Sequence, residues 1–106
     1  MSVWVMISTA GSAKEGNRMA KELVAGNLAA CVTVFPGITS HFFWEGKLSR
    51  EKEAMILIKT TKGNAGKVIK KIKQIHKYQL PEILFFQAAG GEKRYLDWVK
   101  RTVGEK

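Results

Sequence analysis

A chain of 106 residues that is 45% apolar has the length of one domain and enough apolar material for a core that needs neither disulfides nor a structural metal. The net charge of +9 directs attention to nucleic acid, acidic surfaces or anionic ligands, although a lysine-rich solvated surface is the better account of it. No apolar run approaches the roughly 20 residues of a membrane helix. The opening MSVWVMIST lacks a basic leader, and the single Cys31 has no intrachain disulfide partner, so a cytoplasmic location is expected.

Residues 3–9 are almost continuously apolar, with β-branched residues and Trp4, and predict a central strand buried on both faces. Ala10-Gly11 closes it. Ser12-Ala13-Lys14-Glu15 has the form of a capping box and opens a helix with Met19, Ala20, Leu23 and Val24 at helical spacing. Gly26-Asn27 ends that helix. Residues 28–44 alternate with a period of two on both sides of Pro36-Gly37, and predict one long strand bent in its middle. A turn is expected from Glu45 to Lys52, followed by a third strand over 54–59. A polar loop then leads to a second helix over 65–76, with Val68, Ile69, Ile72 and Ile75 on its apolar face and Lys67, Lys70, Lys71 and Lys73 on its wet one. Leu80 precedes Pro81 and is pushed towards an extended conformation. A fourth strand over 83–89, a Gly90-Gly91 break and a third helix over 92–103 complete the chain.

The order β-α-β-β-α-β-α describes an α+β fold. It is a ferredoxin-like βαββαβ sandwich with an additional C-terminal helix and an antiparallel sheet, spanning residues 1–106 as one domain. Helices are expected on one face of the sheet, which leaves the other face solvated or buried by association. The stretch from 28 to 47 carries more apolar and aromatic surface than a chain of this size covers easily. Its far half, with Phe43 and Trp44, is therefore expected to be covered by another subunit.

Six segments, LAACV at 28–32, PG at 36–37, S-x-x-x-WEGK at 40–47, IKTT at 58–61, H-x-Y-x-x-PEI at 76–83 and YLDWV at 95–99, occur in register along nearly the whole chain. Together they resemble the CutA family, the divalent-cation tolerance proteins. The resemblance implies a cytoplasmic homotrimer in which the long second and third strands extend each sheet to meet a neighbour's. It implies no catalytic activity. It links the chain to tolerance of copper and other divalent metals, and its architecture is similar to the trimeric PII signalling proteins, which bind small ligands between subunits.

In metal-binding members of the family the candidate ligands are a Cys near the end of the first strand and two adjacent His residues. Here Ser8 and Ile75 stand at two of those positions, leaving His76 with Glu82 as a weak site for Cu(II) or another divalent cation, not required for folding. The favourable interaction of a cation with the last carbonyls of a helix explains His76 without a metal. Trp44, Lys47, Lys59 and Tyr78 recur in the family's motifs and suggest a cleft for a small anion, with lysine as point charge and aromatic walls. The same four residues are also explained by packing and solvation. Cys31 and His41 read as structural residues, and Glu45 and Glu53 as surface charges. Motifs for nucleophilic, phosphate-binding or metalloprotease chemistry are lacking. The acid-free lysine run from Lys62 to Lys77 keeps nucleic acid as a minor possibility, without the RNA-binding sheet signature.

Overall fold

The protein is described by a computed structural model, in which residues 2–104 are placed. The elements are β1 (Val3–Ala10), α1 (Ala13–Ala25), β2 (Cys31–Trp44), β3 (Lys47–Thr61), α2 (Lys62–Ile75), β4 (Ile83–Gln87) and α3 (Lys93–Thr102). The four strands form one antiparallel sheet in the order β2-β3-β1-β4. This is the expected βαββαβ arrangement followed by a helix.

Local chemistry sets the helix ends. Ser12 is extended and its hydroxyl accepts from the Glu15 amide at 3.1 Å, so the first half of the expected capping box is present. Glu15 does not reach back; its carboxylate pairs with Arg18 at 2.9 Å and Lys77 at 3.3 Å. Asn27 ends α1 with a φ of 59°, a left-handed conformation that Asn tolerates. The second helix begins three residues earlier than expected, at Lys62. The buried Asn64 amide holds that first turn, donating to Thr61 Oγ1 at 3.0 Å and to the Val103 carbonyl at 3.4 Å.

Alternation along the strands sorts the sheet into two faces. On one face, Met6, Ala10, Ile56 and Ile58 pack against Met19 and Leu23 of α1 and Ala65, Val68 and Ile72 of α2. Removing each large side chain of this cluster from water stabilises the fold by about 1.5–3 kcal/mol. Gly16 lets α1 come close here, since a Cβ would lie 3.3 Å from Val34 and 3.4 Å from Ala54.

The opposite face is not bare, which corrects the expectation of helices on one side only. Val99 and Val103 of α3 pack with Val3 and Ala30 in a second, smaller cluster. The rest of that face is open. Val5, Ile7, Met55 and Leu57 are half-buried, and Phe35, Leu84 and Phe86 are exposed. For the same reason β1 is buried on one face and only half-buried on the other along much of its length.

The largest departure from expectation is the length of β3. The turn is only Glu45-Gly46, with φ of 50° and 77°, and β3 starts at once at Lys47. Two successive positive-φ residues give a two-residue hairpin turn whose twist matches that of the strands. Phe43 pairs with Leu48 and His41 with Arg50 down the ladder. At Pro36-Gly37 the register shifts, with Phe35 opposite Met55 but Ile38 opposite Glu53, so the expected bulge is present. Beyond it, residues 47–53 of β3 have no partner in β1, whose pairing ends at Ala10–Ala54. The hairpin therefore projects as a two-stranded arm of about 23 Å from the four-stranded body, in a molecule measuring 46 × 26 × 22 Å.

Candidate functional site

The segment leaving α2 runs across the base of the arm. His76 is the C-cap residue of α2, its amide bonded to the Ile72 carbonyl at 2.8 Å. Its ring is used on both sides. Nε2 lies 2.5 Å from the Thr9 carbonyl oxygen, which can only accept, so that nitrogen carries the proton. Nδ1 accepts from the Tyr78 amide at 2.9 Å. The imidazole thus ties β1 to the turn after α2 and has no free lone pair in this arrangement.

Two residues further on, the Tyr78 hydroxyl donates to Glu53 Oε2 at 2.9 Å. Glu53 is 8% exposed, so it is no surface charge, contrary to expectation. It sits opposite Ile38, immediately past the bulge, at the junction of body and arm. Burial pushes the Tyr78 phenol up to about 12, with the Glu53 carboxylate adding to the shift and Glu51 contributing through its charge. The proton therefore stays on the tyrosine, and the hydrogen bond ties the segment after α2 to β3 where the arm begins.

Beside this junction lies a pocket of about 400 Å³ lined by Phe42, Trp44, Ser49, Glu51, Tyr78, Gln79 and Leu80. It is built from one face of the arm and the extended segment before Pro81. Past the bulge, Phe42 and Trp44 stand on the same face as Ser49 and Glu51, because Phe42 pairs with Ser49 and Trp44 with Lys47. Phe43 and Leu48 point to the reverse face of the arm and are 74% and 73% exposed.

Trp44 and Tyr78, named from sequence as cleft residues, do come together. Lys59 does not join them, and Lys47 stands beside Trp44 without lining the pocket. Lys47 is opposite Trp44 at the hairpin tip, outside the lining. Lys59 lies twelve residues further along the same strand, about 40 Å away at strand rise, where its ammonium donates to Thr33 Oγ1 at 2.8 Å. One subunit cannot bring the two lysines to one small ligand. Glu51 and Phe42 were missed as site residues. The signal that finds them is the hairpin register, which the two-residue turn at Glu45-Gly46 sets.

The donors expected for a metal fit a tightly held ion poorly. Glu82 is exposed at the foot of β4. Glu15 shares a small cleft with His76, but Arg18 and Lys77 already claim its carboxylate and hold it below the usual carboxylate range. The Ser8 hydroxyl is buried and unpartnered among the described residues, and a neutral hydroxyl is a weak donor to a soft cation. No cluster of three His, Cys, Asp or Glu side chains placed to hold a metal exists among the described residues. Cys31 is partly buried near α3, where its charge raises the Tyr95 phenol beyond the effect of burial.

The lysines of the 62–77 run are mostly exposed on α2, joined by Lys14 and Lys21 of α1. Lys71 of α2 meets Glu22 of α1 at 3.4 Å, and Arg18 pairs with the same Glu22 within α1 at 2.8 Å. None of the described helices is long and apolar enough to cross a membrane.

Comparison with known proteins places these features in a family context. Residues 4–102 match the family described as CutA1 divalent ion tolerance protein. A relative from Thermus thermophilus, named divalent-cation tolerance protein CutA, is 37% identical over 100 residues, covering 94% of this chain and 97% of its own. A relative of the same name from Yersinia pestis is 37% identical over 99 residues, covering 93% and 83%. Among solved structures, CutA1 from Oryza sativa superposes with a TM-score of 0.96 at 32% identity, covering 100% of this chain and 97% of its own. The CutA protein of Archaeoglobus fulgidus, described as periplasmic, gives 0.92 at 37% identity, covering 95% and 98%.

Proposed function

The chain belongs to the CutA1 divalent ion tolerance protein family, and from that premise we propose that it serves divalent-cation tolerance as a non-catalytic homotrimer. The observation that carries the assembly is the arm. A two-stranded ribbon is marginal by itself in water, and this one displays Phe43 and Leu48 on a face that no helix covers. The exposed Phe35, Leu84 and Phe86 on the open sheet face continue the apolar surface. Both are met by further copies of the same chain, which also shield the unpaired edges of the arm.

The proposed contact with metal is weak and centres on His76 with Glu82. A cation bound at His76 must displace either the Tyr78 amide from Nδ1 or the Thr9 carbonyl from Nε2. That loss, and the cations Arg18 and Lys77 nearby, favour labile binding of Cu(II) or another divalent ion over a resident one. Titration calorimetry with Cu(II) and Zn(II) tests this on the intact protein and on His76→Ala. A saturable heat that disappears in the variant supports the site, and a heat that is absent or indifferent to the substitution removes it.

A second reading is a PII-like signalling or scaffold trimer that takes a small ligand in a cleft, with metal affinity incidental. The pocket beside Trp44 and Tyr78 favours it. The free Cys31 suits a reducing compartment; cell fractionation distinguishes the cytoplasm from the location described for the Archaeoglobus relative.

A further inference from the structure

We infer that the pocket under the arm binds a small organic cation, an ammonium group carried on an apolar or aromatic body, and not an anion. Three aromatic rings, Phe42, Trp44 and Tyr78, and the Leu80 side chain line a space of about 400 Å³. The only charged side chain in that lining is Glu51. Glu53 lies just behind Tyr78 and accepts a hydrogen bond from its hydroxyl, adding a second carboxylate on the same side. On a chain with a net charge of +9 the lining itself is therefore acidic, with Lys47 on the same face at the hairpin tip as the neighbouring cation.

Ring faces attract cations through their quadrupole, best at Trp, and a carboxylate at the edge supplies the counter-charge. An apolar body would fill the Leu80 and Phe42 side, as small-molecule sites are mostly apolar with a few placed polar groups. Ser49 and Gln79 remain as neutral hydrogen-bonding groups. Of the lysines expected to hold an anion, Lys47 is opposite Trp44 at the hairpin tip but outside the lining, and Lys59 is at the far end of the strand. Phe43 and Leu48, the side chains proposed to meet another copy, are on the reverse face of the arm from this pocket. The inference goes beyond the metal reading and does not depend on it.

Three probes of nearly equal size that differ in charge test it: phenethylammonium, 2-phenylethanol and phenylacetate, each titrated calorimetrically into the full-length protein at low salt. Phenethylammonium is expected to bind about tenfold tighter than the alcohol, with phenylacetate weakest. Glu51→Gln, on an exposed strand, is expected to reduce phenethylammonium affinity about fivefold or more while leaving the circular dichroism spectrum and the Cu(II) titration unchanged. Lys47→Ala is expected to leave cation binding equal or stronger. Equal binding of the alcohol and the cation overturns the inference. So does tightest binding by phenylacetate that Lys47→Ala weakens. Absence of saturable heat with all three probes also overturns it, including the case in which a neighbouring copy fills the pocket.

Discussion

The body and the arm of this molecule are made from the same two strands and held by different means. In the body, β2 and β3 lie under α1 and α2, and their inward residues, Ile56 and Ile58 among them, are fully buried. Past the bulge at Pro36-Gly37 the same strands continue with an intact ladder but without a helix over either face. The backbone hydrogen bonds persist while the burial stops. Local pairing sets the shape of the arm, and its stability must come from outside the subunit, whereas the body supplies its own.

Substitutions on the two sides of the bulge should therefore fail in different ways. Ile56→Ala leaves a cavity in the body and is expected to cost about 2–5 kcal/mol in denaturant unfolding. Phe43→Asp is expected to preserve the subunit fold by circular dichroism. It should weaken association by about 2 kcal/mol or more per contact, raising the dissociation midpoint at least about thirtyfold. If Phe43→Asp unfolds the chain without first releasing monomers, the distinction between the two regions fails.

The junction is the intermediate case. Tyr78→Phe removes the hydroxyl that satisfies the buried Glu53 carboxylate and is expected to cost about 1–3 kcal/mol. The Tyr78 phenol is raised from 10.0 to about 12 in the folded protein. The stability tied to its proton is therefore fully present below pH 10 and is lost as pH rises towards and through 12. Spectrophotometric titration of phenolate should show a late step near pH 12 that Tyr78→Phe deletes, and a normal titration for both tyrosines would contradict the junction. The smallest effect is expected at Arg18, which bridges Glu15, Glu22 and the Ile75 carbonyl on the helix layer. Arg18→Ala should lower stability only slightly, and added salt should shrink the difference.

The same division explains what the sequence disclosed. The strands and helices of the body announce themselves through their apolar periods, as in β1 and in the Val68, Ile69, Ile72, Ile75 stripe of α2. The returning half of the arm, Lys47-Leu48-Ser49-Arg50-Glu51-Lys52, has no such period, because its side chains are exposed within the subunit except for the half-buried Ser49. Its polar sequence reads as a turn, yet the long strand before it and the two-residue turn at Glu45-Gly46 require a partner of equal length. That register puts Glu51 on the same face of the arm as Phe42 and Trp44 and moves Lys59 far from them. Glu53 reads as a surface charge because its partner Tyr78 is 25 residues away in sequence, and only the folded path of the segment after α2 brings them together. The cap on His76 was legible from its place at a helix end; the use of both ring nitrogens was not, since it depends on β1 lying alongside.

Sedimentation equilibrium of the purified protein at micromolar concentration most directly tests whether the arm is held from outside the subunit. A single species at three times the 11.8 kDa chain mass is predicted, with Phe43→Asp shifting it to one chain. A folded, monodisperse monomer of the unaltered protein would contradict it.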